Sequence, residues 1–210
     1  AGMDSDCGDF MAKHLNDCIL DGICTSKVID PPLKNLFRVQ FRLGLYDPQD
    51  KQPYSKYDAS YINTDLHKQY ALEAAEQGMV LLKNDGSALP LSKATATTSV
   101  AIIGPNGNAT DTLLGNYEGV PQYKISVFEA MRRVYPKCSF ESGCDNVACM
   151  NTTNSADAAT LASQSDIVVL VIGLDQTQES EGHDRTKISL PGEQEALINV
   201  VASASKNKFH

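Results

Sequence analysis

The sequence predicts an α/β protein: a three-layer α/β/α sandwich with a mostly parallel sheet, incomplete within this chain and preceded by a helical segment. Three observations predict it. From residue 64 onward, short apolar runs alternate with stretches of helical period, the pattern of strands joined by crossover helices. Asp166-Ile-Val-Val-Leu-Val-Ile172 is almost wholly apolar and β-branched after its first residue, which reads as a strand buried on both faces. Leu190-Pro-Gly-Glu-Gln then opens a new helical pattern, with Pro191 suited to a first turn.

In chain order, Phe10, Met11, Leu15 and Ile19 share one side of a helix over residues 9–20. Asp30-Pro31-Pro32 signals a second start, with Asp30 as N-cap and proline in the first turn. Leu33, Leu36, Phe37 and Phe41 follow at helical spacing as core packing, and Gly44 closes the helix. Residues 46–63 are polar, proline-containing and without period, which predicts a linker and a domain boundary between 1–45 and 64–210. Thr64 or Asp65 then caps a helix carrying Leu66, Tyr70, Ala74 and Ala75 and ending at Gly78.

Met79-Val-Leu-Leu82 is expected as a short strand closed by the turn Asn84-Asp-Gly86. Val100-Ala-Ile-Ile103 is the next strand, and Gly104-Pro-Asn-Gly-Asn108 the loop after it. That loop lacks both G-x-G-x-x-G and the Lys-Ser/Thr of a P-loop, so no nucleotide cofactor is expected. Helices over 126–134 and 156–162 alternate with strands at 138–140 and from about 167.

The chain has 210 residues, 42% hydrophobic and 21% charged, with net charge −8 and pI ≈ 4.9. An acidic chain does not suit a nucleic-acid partner, and no apolar run approaches the ~20 residues of a membrane span. The start, AGMDSDCGDF, has neither an initiator Met nor a signal-peptide pattern, and the end follows a helix where another strand is expected. The sequence is therefore expected to be an internal segment. Six cysteines, Cys7, Cys18, Cys24, Cys138, Cys144 and Cys149, show no Cys-x-x-Cys spacing. With the sequons at Asn108 and Asn151 they point to a secreted, glycosylated protein in an oxidising compartment.

The functional candidate is the loop Gly173–Arg185, GLDQTQESEGHDR, held at the carboxyl end of a core strand, where open α/β sheets place their ligand crevices. It gathers Asp175, Glu179, Glu181, His183, Asp184 and Arg185. A plain charged surface loop is the alternative reading. A metal module is another, although the spacing matches neither an EF-hand nor a His pair, and no metal is expected.

The words AGMDSDCG, LFRVQFRLGLYDP, ALEAAEQGMVLLKNDGSALPL, SVAIIGPNGN, LLGNYEG and VVLVIGLDQTQESEGHDRTKISLPGEQ resemble, in order, glycoside hydrolase family three. GLDQTQE is most similar to its β-xylosidase branch. Pro31-Pro32 departs from that likeness, outside any catalytic position. The resemblance implies a retaining, exo-acting glycosidase acting on oligosaccharides or glycosides. Residues 1–45 would end a (β/α) barrel domain, and 64–210 would begin an α/β sandwich domain.

It also implies a nucleophilic aspartate on the barrel, upstream of this chain, with the general acid/base in the acidic loop. The family's Glu-Gly-x-Asp-Arg pattern falls on Glu181, while counting from the strand favours Glu179. Glu181 is preferred. His183 is a candidate for sugar contact. Arg185 would pair with Asp184 or a loop glutamate and brace the loop. Cys144–Cys149 is the most local cysteine pairing, and any pair among Cys7, Cys18 and Cys24 leaves one over. β-Glucosidase, α-L-arabinofuranosidase and a non-catalytic sugar-binding domain are the rival functions.

Overall fold

The structure is a computed structural model, and it describes residues 3–91, 95–152 and 154–206. By internal contacts the chain forms two compact units, Ala1–Gly78 and Met79–His210.

The first unit is helical. Helix α1, Phe10–Leu20, ends in a turn that a Cys18–Cys24 disulfide ties together. Helix α2, Asp30–Arg42, follows a short 3-10 turn, so Ile29 stands at the N-cap and Asp30 lies in the first turn instead of capping it. The double proline sits inside that first turn, where its missing N–H groups would be unpaired anyway. Gly44 N–H bonds to the Phe41 carbonyl and Leu45 N–H to that of Gln40, a Schellman closure.

Residues 46–63 belong to this unit and contain two 3-10 turns, Gln49–Lys51 and Ala59–Tyr61. Helix α3, Asp65–Gly78, also belongs to it, with Thr64 Oγ1 accepting from His67 N at 3.3 Å. The apolar stripe of α2 is not core here. Leu33, Leu36, Phe37 and Phe41 all remain exposed, because the described residues of this unit do not cover them.

The second unit is the α/β body. Strand β1, Ser99–Ile103, lies at the centre, with β2, Lys137–Glu141, and β3, Ile167–Leu170, parallel to it on either side. Helix α4, Val127–Val134, connects β1 to β2, and α5, Ser155–Gln164, connects β2 to β3; α6, Gln194–Ala204, follows the acidic loop.

Period-two alternation along β1 sorts the core into two layers. Val100 and Ile102 pack with Tyr135 and Cys138 against Val127, Phe128 and Met131 of α4. Ala101 and Ile103 pack with Ala158 and Ala162 of α5 and Leu197 and Val201 of α6. The expected α/β class with a parallel sheet between helical layers is the observed one.

Two expected strands differ. Met79–Leu82 forms none, since its four side chains are 64–91% exposed and no strand pairs with it among the described residues. Apolar composition alone does not make a strand without a ladder partner. Strand β3 is shorter than the apolar run and only half-buried, because within the described residues it is an edge; the strand buried on both faces is β1.

Asp166 joins the two strand starts. Its Oδ2 accepts from Ser99 N at 2.9 Å and Ser99 Oγ at 2.8 Å, while Asp166 N donates to Ser99 O. Those bonds from Ser99 hold the Asp166 carboxyl below its ordinary range. A depressed carboxylate stabilises the fold above its unfolded pKa of about 3.9, and the benefit disappears as pH falls through the lower folded value. Asp166→Ala is therefore expected to lower the urea midpoint near neutral pH. The gap from wild type should stay constant above the unfolded pKa of about 3.9 and narrow as the pH falls below it, as urea titrations at successive pH values would read.

Candidate active-site loop

The carboxyl ends of β1 and β3 are drawn together before either loop begins. Gly104 has φ 123°, and a Cβ there would collide with the Val171 carbonyl oxygen. Asn106 N donates to that same carbonyl at 3.3 Å, and Asn106 Nδ2 to Leu174 O at 3.3 Å. The glycine turn after β1 is thus a structural clasp on the acidic loop.

Helix α4 is locked to the same clasp. Ser126 and Glu129 form a capping box, and Ser126 Oγ also donates to Asn108 Oδ1 at 2.8 Å. Asn108 itself is exposed. Asn151 is exposed too, and Thr153 of its sequon lies outside the described residues.

The acidic loop leaves β3 through a buried fastening. Gln194 at the start of α6 is fully buried, and its Oε1 accepts from Gly173 N at 2.9 Å. Its Nε2 donates to Gly173 O at 2.9 Å and to Val147 O at 2.7 Å. Val147 lies between Cys144 and Cys149, which are disulfide-bonded. Cys7 and Cys138 carry free thiols, the first exposed and the second buried, and burial pushes the Cys138 thiol up. Nothing in the sequence patterns singled out Gln194. A polar residue at the head of a helix ordinarily reads as solvated, and only the fold shows it facing two backbone segments.

Beyond Gly173 the loop is ordered by local bonds. Asp175 Oδ1 accepts from Thr177 N at 3.0 Å and Thr177 Oγ1 at 2.6 Å, an Asx turn. Ser180 and His183 then pair in antiparallel fashion, Ser180 N to His183 O at 3.0 Å and His183 N to Ser180 O at 2.9 Å. Glu181 and Gly182 are left as the two central residues of the turn, with Gly182 at φ 75° supplying the left-handed position. Glu181 therefore stands at the tip of a tight hairpin, exposed.

Tyr117 Oη donates to Glu181 Oε2, which holds the Tyr117 phenol above its ordinary range. Tyr117 was legible in the sequence only as part of LLGNYEG. Glu179 is exposed just before the bridge and takes no hydrogen bond from the described side chains. His183 and Asp184 are exposed as well, on a shallow concavity with Gln178, Arg185, Thr186 and Lys187.

Arg185 corrects an expectation. It pairs with neither Asp184 nor a loop glutamate: Nε donates to Lys187 O at 3.2 Å and Nη2 to Ser189 O at 2.6 Å. A guanidinium's fixed fork suits two nearby carbonyls as well as a carboxylate, and here it curls the segment leading to α6.

Beside the loop lies a cleft of about 550 Å³, lined by Asn108, Thr110, Thr112, Glu118, Asp175 and Gln176 among others. Its lining mixes polar side chains with apolar surface, which suits a ligand carrying both hydroxyls and C–H faces. Among the described residues no three His, Cys, Asp or Glu side chains gather where they could hold a metal ion. Among the described residues no helix is long and apolar enough to cross a membrane.

The Gln194 fastening makes a measurable claim. Gln194→Met keeps the volume but removes the partner of one buried and two part-buried backbone groups, which should cost about 1–3 kcal/mol in chemical denaturation. Amide exchange at Gly173 should accelerate with it.

Comparison with known proteins places the chain in a family. A model of the glycosyl hydrolase family 3 C-terminal domain matches residues 79–209. Beta-D-xylosidase 1 of Arabidopsis thaliana is 41% identical over 98% of this chain, which spans 26% of that protein. Beta-xylosidase/alpha-L-arabinofuranosidase 2 of Medicago sativa subsp. varia is 39% identical over the same shares.

Among solved structures, a GH3 exo-beta-xylosidase (XlnD) in complex with a xylobiose aziridine activity-based probe superposes with TM-score 0.82 at 34% identity. It covers 96% of this chain and 26% of its own. A β-glucosidase from Listeria innocua, at 24% identity and TM-score 0.75, shares the fold; 99% of this chain and 28% of that one are covered. The chain thus spans about a quarter of the length of these relatives. On the family match and on identity sustained along nearly its whole length, this chain belongs to glycoside hydrolase family 3.

Proposed function

We propose that the chain is the acid/base-bearing part of a retaining, exo-acting β-xylosidase that removes terminal xylose from xylo-oligosaccharides. One observation carries this reading. In a chain about 40% identical to proteins named β-xylosidases, Glu181 is held at the tip of a hairpin beyond the carboxyl end of β3, with a phenol on one of its oxygens.

The chemistry needs two carboxyl groups about 5–5.5 Å apart. An aspartate in the barrel portion of the same polypeptide attacks the anomeric carbon. Glu181 passes its proton to the departing glycosidic oxygen as the bond to carbon breaks. It then takes a proton from water, whose oxygen displaces the aspartate from the sugar, and the starting state returns. Glu179, two residues earlier and outside the tight turn, has no comparable fixation. His183 is exposed one residue past the turn and is the candidate for sugar contact, while Arg185 braces the return to α6 through the Lys187 and Ser189 carbonyls.

The bifunctional name of the Medicago sativa relative favours a second reading, α-L-arabinofuranosidase activity at the same site. The protein is proposed to be extracellular and glycosylated at Asn108 and Asn151, in keeping with the bonded cysteine pairs at 18–24 and 144–149. Asn108 uses its Oδ1 toward Ser126, so a glycan on its nitrogen would keep that bond.

Glu181→Ala in the polypeptide that includes the barrel should slow hydrolysis of xylobiose by about 10²- to 10⁴-fold. An activated aryl xyloside should still form the glycosyl-enzyme and then stall, and added azide should release it as β-xylosyl azide. Rescue seen in Glu179→Ala in place of Glu181→Ala would move the role to Glu179. Hydrolysis of aryl β-glucosides with none of β-xylosides would overturn the substrate.

A further inference from the structure

Tyr117 is 85% exposed and lies on the loop after β1, 64 positions from the glutamate it meets. A hydrogen bond between two exposed side chains is ordinarily worth little, because each must be ordered to make it. Here both loops are fastened independently of that bond. An ion pair between Lys124 and Asp111 closes the base of the Tyr117 loop. Gln176, on the acidic loop, donates its Nε2 to Leu114 O at 2.8 Å, three residues before Tyr117. The capping box of α4 fixes the chain just beyond Lys124. On the other side, the Ser180–His183 pairing fixes the turn that presents Glu181. Much of the ordering cost is met before the phenol and the carboxylate meet.

We infer that Tyr117 is a positioning residue for Glu181: by donating to Oε2 it leaves Oε1 as the oxygen that exchanges the proton with the glycosidic oxygen and later with water. The inference rests on the reading of Glu181 as acid/base. No proton leaves the phenol in either step; Tyr117 remains a donor throughout. Donation to the Glu181 carboxylate holds its phenol above the ordinary range, so it stays protonated at any pH near neutrality.

A hydrogen bond to a carboxylate is stronger than one to a neutral carboxyl group. The Tyr117 bond therefore strengthens as Glu181 gives up its proton, and it stabilises the transition state of the first step more than the ground state. It should matter in proportion to how much the leaving group needs that proton. In the second step Glu181 goes from anion to acid, and losing the phenol should not slow it.

The test compares leaving groups in the full-length Tyr117→Phe enzyme. On xylobiose, kcat/KM should fall by about tenfold or more. On a dinitrophenyl β-xyloside, whose leaving group departs without protonation, kcat/KM and kcat should stay within about twofold. Added azide should not accelerate Tyr117→Phe, because the base is still present. Lys124→Met, which opens the base of the loop without touching the phenol, should show the same leaving-group dependence in weaker form.

Equal losses on both substrates would mean a merely structural role and overturn the inference, as would no loss on either. Azide rescue of Glu181→Ala checks the underlying reading separately. Rescue together with a flat leaving-group profile in Tyr117→Phe sinks only the positioning role. Absence of rescue in Glu181→Ala sinks the acid/base reading and the positioning role with it.

Discussion

A buried amide, Gln194, is the constraint on which the geometry of the site depends. The last ladder bond of β3 runs from Val171 N to Ile103 O, and the strand itself stops at Leu170. Three residues on, Gly173 exchanges both its N–H and its C=O with the Gln194 side chain, much as a hydrogen-bonded residue would with a neighbouring strand. The remaining donor of the same amide goes to Val147, in the loop tied by Cys144–Cys149. One side chain thus joins the start of α6, the exit of β3 and the turn after β2. Because the amide is fully buried, each of those bonds would be costly to leave unmade. The acidic loop therefore begins from a fixed point.

Outward from Gly173, shorter restraints act in sequence. The glycine turn at 104–107 holds the ends of β1 and β3 together through Val171, the Asx turn at Asp175 sets the loop's direction, and the Ser180–His183 pairing sets its tip. Arg185 spends its donors on the carbonyls of Lys187 and Ser189, so the return to α6 is braced without an ion pair. A carboxylate such as Glu181 can be exposed and still well placed, since its backbone is defined at every stage from a buried strand outward.

Much of the fold was legible because its signals are local. The β-branched runs at 100–103 and 167–170, and the helical stretches between them, carry their period in their own residues, and the observed elements fall close to where that period put them. The misreadings share a cause. Met79–Leu82 and the stripe of α2 are apolar, but whether an apolar segment becomes strand or core depends on a partner elsewhere. Strand β3 looked central because its composition is central, yet within the described residues it has a neighbour on one side only. At the site the same distinction holds. The acidic loop was visible as a cluster of chemistry, whereas Gln194 and Tyr117 act across 21 and 64 positions of sequence. No local pattern encodes either contact.

The described part of the site supplies reach more than enclosure. Glu181, Glu179, His183 and Asp184 are all exposed, and the adjoining cleft is open to solvent. Electrostatic and proton-transfer effects gain most of their strength where water is excluded, which exposed side chains on a hairpin cannot achieve by themselves. On the proposed reading of Glu181 as acid/base, the α/β body would fix the position and orientation of the proton-exchanging carboxylate, and a second surface would have to supply the dry wall and the opposing nucleophile. Such a division places an unusual demand on the loop. It must hold its geometry before the wall arrives, or binding energy would be consumed in ordering it. The buried amide, the paired turn and the phenol on Oε2 are restraints of the kind that demand calls for.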